Sequence, residues 1–503
     1  MPSSRGNQNL SPVRNHPHLY EIDTWAWLEE LSARYGRSIN LGTVPSQEWD
    51  KLQQLSFDFV WLMGVWKRSA EGRRITRTHP DFFASYDAAL PNWTMEDVTG
   101  SPYSVQGYVP DPRIGNENDL DAARSELHAR GIRLILDFVT NHTAPDHPWV
   151  ASHPEYYVQG TLADFRKEPS AFYLVESNGR ARFIARGRDP YFPPWPDTAQ
   201  LNYYNPALRE AMLDALREIA QHCDGVRCDM AMLSLNDIFA RTWGPLLSGF
   251  RVPRDEFWPA AVSTLPGFTW IAEVYWDLER RLQRLGLNFT YDKRFYDRLL
   301  DAAPQEVRVH LEADSGYQVR CVRFLENHDE KRSAQVFGKD RLPAAATLLA
   351  TAPGMRFYYH GQLEGRKLYL PNPLRRTADE APDPEIQALY SRLLSITRED
   401  VFRQGDWRLL EVRPAGDGSF ENLIAYQWRD ENALKVIAAN LGSASSQGSI
   451  ALGEEIDPIR RYRLTDQLNG RNFDWQGQDI ARGGLFVRLE PFRSHIFNVQ
   501  TAS

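Results

Sequence analysis

From about residue 19 onward, short apolar runs alternate with amphipathic segments, a pattern typical of repeated strand–helix units around a parallel sheet. Residues 59–66 form a continuous apolar run of strand length, as expected for a strand buried on both faces. Further strands are predicted at 268–275, 286–291, 320–327 and 355–360, and helices at 118–128, from Pro206 onward and at 384–398. The pattern indicates an α/β fold with a parallel sheet.

Three stretches depart from this alternation. Residues 67–110 are rich in Arg, Pro, Asp and Tyr, which predicts a long loop on the functional side of a barrel. Residues 143–200 look irregular and are too long for a plain loop, so we expect a small excursion domain there. Beyond about residue 405, short strands separated by Gly, Ser, Asp and Asn indicate an antiparallel β-sandwich.

The sequence thus predicts a (β/α)8 TIM barrel with an excursion domain after strand 3 and a C-terminal antiparallel β-sandwich. A length of 503 residues accommodates one large barrel and additional domains. The predicted division is a flexible N-terminus at 1–16, the barrel at 17–142 and 201–404, the excursion domain at 143–200 and the sandwich at 405–503.

Charge and cysteine content limit the binding partners and the cellular compartment that we expect. The net charge of −8 is small for this length and argues against a nucleic-acid or anionic membrane partner. The N-terminus shows no apolar signal-peptide core, and no apolar stretch is long enough to span a bilayer. Cys223, Cys228 and Cys321 have neither disulfide nor metal-ligand spacing, which favours a reducing compartment. We therefore expect a cytoplasmic protein of undetermined oligomeric state.

Four segments share one design, an apolar run that ends in a carboxylate, an arginine or a histidine. They are residues 134–142, 225–229, 270–274 and 324–329. A charged group at the C-terminal end of a buried strand is how a parallel barrel builds an active site. Glycoside chemistry requires two carboxylates beside one bond, with neighbouring charges that set their ionisation. The segments supply all of these groups.

In order and spacing, these segments resemble the four hallmark regions of the α-amylase family of retaining glycoside hydrolases and transglycosidases. The resemblance implies hydrolysis of α-glucosidic bonds in oligo- or polysaccharides through a covalent glycosyl-enzyme. Glycosyl transfer from sucrose or maltooligosaccharides is a close alternative, and a non-catalytic carbohydrate-binding member is a third. Residues 141–143, followed by 147–149, look closer to oligosaccharide-acting members than to calcium-dependent α-amylases.

The resemblance assigns the two reacting carboxylates. Asp229 resembles the nucleophile at the end of strand 4, and Glu273 resembles the general acid/base at the end of strand 5. Arg227 lies two residues before Asp229 and is expected on the same face of its strand, where a guanidinium lowers a carboxyl pKa by about 1–3 units. The apolar neighbours of Glu273 are expected to raise its pKa. A structural ion pair or a loop-bracing Glu is the alternative.

Asp329 resembles the third carboxylate, which binds sugar hydroxyls, although Glu326 ends the same apolar run and competes for that role. His142 and His328 resemble histidines that hydrogen-bond the same sugar ring. Structural roles remain open for these side chains.

Two further residues complete the predicted substrate site. Arg332 matches a family arginine three residues beyond Asp329, with a solvated surface arginine as the alternative. Tyr103 resembles the tyrosine that stacks on the sugar, and Tyr108 is the neighbouring candidate.

No cofactor is expected. Calcium-dependent α-amylases usually carry a Lys-His pair just after the nucleophile, where this chain has Met232 and Leu233. No Asp-rich calcium loop is visible either. The resemblance therefore implies no obligatory metal and an α-glucan or α-glucoside as the substrate.

Overall fold

The computed structural model describes residues 11–177, 179–247 and 249–502. Eight parallel strands close into a barrel, and each pairs with the next while β8 pairs with β1. The strands are β1 His18–Asp23, β2 Phe59–Met63, β3 Arg133–Val139, β4 Gly225–Asp229, β5 Thr269–Ala272, β6 Phe289–Tyr291, β7 Cys321–Arg323 and β8 Met355–Tyr359. The predicted barrel is confirmed.

The barrel strands are shorter than the apolar runs that predicted them. In the run at 59–66, pairing in the barrel stops at Met63 because Gly64 adopts a left-handed backbone with φ of 78°. Glycine tolerates this conformation without a β-carbon clash. Trp66–Arg68 then pairs antiparallel with Val105–Pro110 outside the barrel. The charged segment ends therefore lie at the ends of the strands or just beyond them.

Helices alternate with the barrel strands and cover the barrel. Asn205 and Asp383 cap helices that begin at a proline, and each side chain accepts a hydrogen bond from the first turn. The α-helices are Thr24–Tyr35, Ser46–Gln54, Ala70–Thr78, Pro80–Ala89, Glu117–His128, Pro148–Ser152, Leu162–Lys167, Pro206–Ile219, Asn236–Trp243, Phe257–Thr264, Glu279–Arg284, Lys293–Asp301, Pro304–Leu311, Ser315–Gln318, Ser333–Val336, Gly338–Thr351, Pro384–Thr397, Asp400–Gln404 and Gly477–Gly483. Within the described ranges, no helix is both long and apolar enough to cross a membrane.

The interpretation of residues 67–110 as one long loop is wrong. This stretch contains the helices Ala70–Thr78 and Pro80–Ala89 and a strand that pairs with Trp66–Arg68. Ser69 caps the first helix by accepting from the amide of Gly72, and Pro80 opens the second. The sequence hid both helices because few of their side chains are buried, so no clear apolar period marks them.

The excursion after β3 contains a small antiparallel sheet of the strands Gln159–Gly160, Phe172–Ser177 and Arg180–Ala185. The short strands His142–Thr143 and Ala199–Gln200 pair where the chain leaves and re-enters the barrel. This pairing brings His142 beside the excursion.

The C-terminal part forms two antiparallel sheets that share one apolar core. The larger sheet contains the strands Asp406–Leu409, Leu423–Arg429, Leu434–Asn440, Ser494–Ala502, Arg461–Asp466 and Arg471–Gln476, in spatial order. The smaller sheet contains Val412–Pro414, Ser446–Ile450 and Leu485–Leu489. The predicted C-terminal sandwich is confirmed.

Part of the predicted flexible N-terminus, residues 1–10, lies outside the described residues. At the other end of that segment, His16 is buried and its ring meets Trp428 edge-on at 4.6 Å. Its Nδ1 accepts the amide of Gly354 at 2.9 Å. The chain is therefore anchored to the barrel before β1 begins.

Candidate active site

A single buried arginine joins the two carboxylates that the sequence singled out. Arg227 Nη1 lies 2.6 Å from Asp229 Oδ1, and its Nη2 lies 2.7 Å from Glu273 Oε2. Arg227 and Asp229 are two residues apart on β4, so their side chains point to one face, and Glu273 follows the last residue of β5. One guanidinium thus fixes the positions of both carboxylates.

The backbone after Asp229 contributes a further contact. Met230 adopts a left-handed conformation with φ of 42°, which is unusual for a residue other than glycine. Its amide donates to Glu273 Oε2 at 2.8 Å, and the Tyr275 hydroxyl donates to Glu273 Oε1 at 2.8 Å. Both oxygens of Glu273 are therefore oriented by donors, and the strained turn at Met230 is part of that arrangement.

Asp329 is held by the histidine beside it. His328 Nε2 lies 3.0 Å from Asp329 Oδ2, and its Nδ1 lies 2.5 Å from Glu21 Oε1 on β1. Asn372 donates to Asp329 Oδ1 at 3.4 Å. The Asp329 side chain is 44% exposed, whereas that of His328 is fully buried. Asp329 is therefore the group presented outward, and His328 lies behind it.

The predicted tyrosine and histidine side chains lie around these carboxylates. The Tyr103 hydroxyl lies 2.7 Å from His328 Nε2, and the two rings stack at 5.3 Å. His142 is buried, and its Nε2 has no hydrogen-bond partner among the residues that the structure describes. Burial lowers the pKa of His142 to about 4, so it is a neutral imidazole near pH 7.

These groups face one cavity of about 920 Å³ at the C-terminal ends of the barrel strands. The three carboxylates Asp229, Glu273 and Asp329 all line it, as do Tyr103 and His142. Residues of the excursion close one side, and residues 371–373 close another. The size lies at the upper end of ordinary ligand pockets, about 300–1,000 Å³. Arg227 and His328 lie behind the wall and position the lining groups.

Burial dominates the ionisation of the two joined carboxylates. It raises the pKa of Asp229 and of Glu273, and Arg227 opposes the rise in both. The expected lowering of the Asp229 pKa by Arg227 is therefore wrong as a net effect, because desolvation outweighs the guanidinium. For Glu273 the predicted direction agrees with the structure.

Asp329 behaves differently from the other two carboxylates. Partial loss of water inside the cavity favours its neutral form, but His328 and Arg227 outweigh that effect and lower the pKa of Asp329 to about 2. In turn, burial alone would lower the pKa of His328, yet Asp329 and Glu21 raise it well above the usual value. Asp329 and His328 therefore form a charged pair at neutral pH.

The sequence left two pairs of candidates for the substrate site, and in each pair the structure places one member at the cavity. Glu326 is fully buried, pairs with Arg332 at 2.9 Å and accepts the amide of Ser333 at 2.6 Å, so Asp329 alone faces the cavity. The Tyr108 hydroxyl donates to the Val139 carbonyl at 2.9 Å and is not part of the cavity wall.

Arg332 is not brought to the cavity. Its side chain is buried, donates to the carbonyl of His360 at 2.7 Å and pairs with Glu326. This arrangement differs both from the predicted substrate contact and from a solvated surface arginine, because the chain after Asp329 turns inward.

Sequence reasoning missed several residues that the structure brings to the site. Glu21 lies within the buried strand β1, two residues before its end at Asp23, and a carboxylate inside a buried strand is a sequence signal that could have identified it. Tyr275 lies two residues after Glu273, in a stretch from which only apolar surroundings of Glu273 are predicted. Asn372 lies in an irregular segment with no recognisable pattern.

Among the described residues, no group of three or more His, Cys, Asp or Glu side chains is arranged to hold a metal ion. The three cysteines are buried, and burial raises the pKa of Cys228 above the ordinary thiol value. They act as small apolar side chains in the barrel.

Fold and site together define a (β/α)8-barrel protein with three carboxylates and an arginine at the C-terminal ends of its strands, the usual position of barrel active sites. Residues 46–239 match the family model for the alpha-amylase catalytic domain. The predicted resemblance to the α-amylase family is confirmed, and the match covers less than half of the 503 residues. Asp229 lies within the match, whereas Glu273 and Asp329 lie beyond it.

Two curated relatives illustrate the range of similar proteins. Alpha-amylase MalA of Haloarcula japonica is 25% identical over 351 residues, which cover 68% of this chain and 48% of the relative. A 4-alpha-glucanotransferase of Thermotoga maritima is 25% identical over 88% of this chain and 93% of its own length. The chain thus spans about half the length of the first relative and nearly all of the second.

Solved structures share the whole fold at low identity. A maltogenic alpha-amylase of Thermotoga neapolitana superposes with a TM-score of 0.68 at 20% identity, over 97% of this chain and 99% of that chain. An alpha-amylase of Geobacillus thermoleovorans gives a TM-score of 0.67 at 19% identity. These likenesses extend through the barrel, the excursion and the C-terminal sheets.

Proposed function

We propose that this protein cleaves α-glucosidic bonds of oligo- or polysaccharides with retention of configuration, through a covalent glycosyl-enzyme on Asp229. One observation carries the proposal. Arg227 binds Asp229 through Nη1 and Glu273 through Nη2, and both carboxylates face the same cavity, beside Asp329. Retaining glycosidases require a nucleophile and an acid/base that lie close enough to act on one anomeric carbon.

In the first step, an oxygen of Asp229 attacks the anomeric carbon while Glu273 gives its proton to the departing glycosidic oxygen. Arg227 spans both carboxylates and offsets the charge of Asp229 before attack. The raised pKa of Glu273 keeps it protonated at a higher pH than an ordinary Glu, which suits a proton donor. The Met230 amide and the Tyr275 hydroxyl hold Glu273 in place.

In the second step, Glu273 is ionised and takes a proton from the incoming water or sugar hydroxyl. That oxygen attacks the anomeric carbon, and the electron pair of the bond to Asp229 returns to the carboxylate. Two inversions at the same carbon give retention.

The remaining groups hold the sugar ring at the reacting centre. Asp329 is ionised and exposed to the cavity, so it is suited to accept hydrogen bonds from ring hydroxyls. Tyr103 offers an aromatic face, and the unpartnered Nε2 of His142 offers a neutral imidazole group. His328 acts from behind by orienting Tyr103 and Asp329.

Glycosyl transfer is the second candidate. It is favoured by the 4-alpha-glucanotransferase relative, which matches this chain over nearly its full length. Transfer and hydrolysis differ only in whether a sugar hydroxyl or water attacks the glycosyl-enzyme in the second step, so the same residues serve both.

The deciding experiment is chromatography of the products formed from maltotetraose and from sucrose, with Asp229→Asn as the control. Shorter sugars from one substrate, absent in the variant, identify a hydrolase and its preferred bond. Longer or rearranged sugars identify a transferase. No product from either substrate contradicts the proposed activity on these compounds and favours the non-catalytic alternative.

A further inference from the structure

The cavity wall beyond Glu273 contains side chains that have no role in the proposed reaction steps at Asp229. Glu273 Oε2 faces Arg227, whereas Oε1 faces Tyr275. The residues that follow Glu273 therefore line the side from which the leaving group departs. Tyr275, Trp276 and Glu279 all line the cavity there.

Trp276 is held in a strained conformation at this wall. Trp276 and Asp277 have φ of 65° and 62°, so two consecutive residues other than glycine lie in the left-handed region, which is uncommon for a bulky residue such as Trp276. Strain of this kind persists only where surrounding contacts impose it, and it concentrates at functional sites. Here Asp277 forms an ion pair with Arg294, and the Trp276 ring meets Tyr191 edge-on at 5.0 Å. The ring thus packs against the excursion on one side, and the ion pair fixes the neighbouring backbone, while Trp276 still borders the cavity.

The excursion supplies the opposite side of the same region. Asp189 accepts the amides of Tyr191 at 2.6 Å and Phe192 at 3.0 Å, which fixes the turn that carries both rings. Phe192 lines the cavity with 66% of its surface exposed. Arg241 lies over Tyr191 at 5.2 Å from the ring centre. The contact between Tyr191 and Trp276 therefore joins the excursion to the barrel at the edge of the cavity.

Glu279 provides a polar group beside these rings. It is a buried residue that lines the cavity, and its carboxylate is hydrogen-bonded to its own backbone amide and to no other side chain among the described residues. Burial raises its pKa to about 7. A carboxyl group with so few partners in a cavity wall costs free energy unless a ligand or water satisfies its remaining positions.

We propose that Trp276 and Glu279 bind the sugar unit on the leaving-group side of the cleaved bond and favour a sugar over water as the acceptor. Trp276 supplies a rigid face for the C–H surface of the ring, and Glu279 accepts or donates a hydrogen bond at a hydroxyl. This inference rests on the proposed function, because it presupposes a glycosyl-enzyme on Asp229.

The test uses a donor whose leaving group needs no sugar site. With an α-glucosyl or α-maltosyl fluoride, the bond from Asp229 to the anomeric carbon forms as the C–F bond breaks, and Glu273 gives its proton to fluoride. An added glucose or maltose hydroxyl then attacks, its proton passes to Glu273, and Asp229 recovers its electron pair. Water competes for the same intermediate. The ratio of transfer product to hydrolysis product measures acceptor binding.

For Trp276→Ala, we expect the transfer-to-hydrolysis ratio to fall about tenfold, as for the loss of one aromatic contact. Alanine keeps a β-carbon and hence the same backbone strain, and Trp276→Phe should restore most of the ratio. For Glu279→Ala the expected fall is about fivefold, and Glu279→Gln should lie between that variant and the wild type. Phe486→Ala and Glu454→Gln, at exposed positions in the C-terminal part of the chain, are the matched controls.

The outcomes separate the two proposals. If the wild type releases no fluoride from either donor, the proposed function fails. If it releases fluoride but Trp276→Ala and Glu279→Ala keep the wild-type ratio, only the acceptor site is refuted. Fluoride release without transfer to either sugar at any acceptor concentration also overturns the acceptor site. Because Glu279→Gln is nearly isosteric, it keeps the test available if Trp276→Ala does not fold.

Discussion

The buried arginine–carboxylate clusters around Arg227 and around Arg332 lie near the C-terminal ends of the barrel strands, and they differ in their relation to the cavity. The open cluster contains Arg227, Asp229 and Glu273, and its two carboxylates line the cavity. The closed cluster contains Arg332 and Glu326, which lie outside the cavity wall. Both place an arginine within 3 Å of a carboxylate in the protein interior.

The difference lies in how the carboxylate oxygens are satisfied. In the closed cluster, one oxygen of Glu326 is bound by Arg332 and the other by the Ser333 amide, and Arg332 also donates to a backbone carbonyl. In the open cluster, one guanidinium serves two carboxylates, and among the described residues the Asp229 side chain accepts a hydrogen bond at Oδ1 only, from Arg227. A saturated ion pair is suited to hold structure, whereas an excess of carboxylates beside a cavity is suited to chemistry.

Among the variants that distinguish the open cluster from the closed one, Asp229→Asn is expected to have the largest effect, a loss of kcat. The amide cannot form the glycosyl-enzyme, so kcat should fall about 10⁴-fold or more. The measurement is the rate of fluoride release from an α-glucosyl or α-maltosyl fluoride, with the thermal unfolding curve recorded in parallel. A rate within tenfold of the wild type would rule out Asp229 as the nucleophile.

Glu273→Gln should show a loss that depends on the leaving group. Without a proton donor, cleavage of maltooligosaccharides should fall about 10²- to 10⁴-fold, whereas fluoride departure needs much less protonation and should fall less. The measurement compares kcat/KM for maltotetraose with the first-turnover fluoride burst. Equal losses on both substrates would contradict the acid role.

Glu326→Gln tests the closed cluster, and its effect should appear in stability. Arg332 would lose its charged partner in a buried site, which typically destabilises by about 3–5 kcal/mol. We expect an earlier unfolding midpoint in urea with kcat changed less than twofold in the folded protein. A large loss of kcat without a loss of stability would contradict the structural role of Glu326 and assign it to the active site.

The smallest expected effect is on the pH profile. Asp229 must be ionised and Glu273 protonated, and burial raises the pKa of both. The acidic limb of kcat/KM should therefore lie above the ordinary Asp value of about 3.9, and the alkaline limb above the ordinary Glu value of about 4.3. Activity is lost as pH falls through the first limb and as pH rises through the second. Glu326→Gln should leave both limbs in place, and a shift of either limb in that variant would link the clusters.

The sequence predicted the elements that carry an unbroken apolar run and the charged groups at their ends. The strands β3, β4 and β5 are examples, since they are buried on both faces. It did not predict the helices between residues 67 and 110, because their side chains are largely exposed and show no apolar period. The net pKa direction of Asp229 was also missed, since it depends on how fully the tertiary structure removes water.

The sequence by itself determined which segments form the barrel strands, the spacing of Arg227 and Asp229, and the order of the four segments. Local periodicity and residue type suffice for these features, since both act within one element. Only the tertiary structure decided that Glu326 is sealed by Arg332 while Asp329 faces the cavity. It also brought Glu21, Asn372 and the Trp276–Tyr191 contact to the site. These contacts join residues far apart in the chain, and packing of whole strands and loops, rather than any local pattern, places them together.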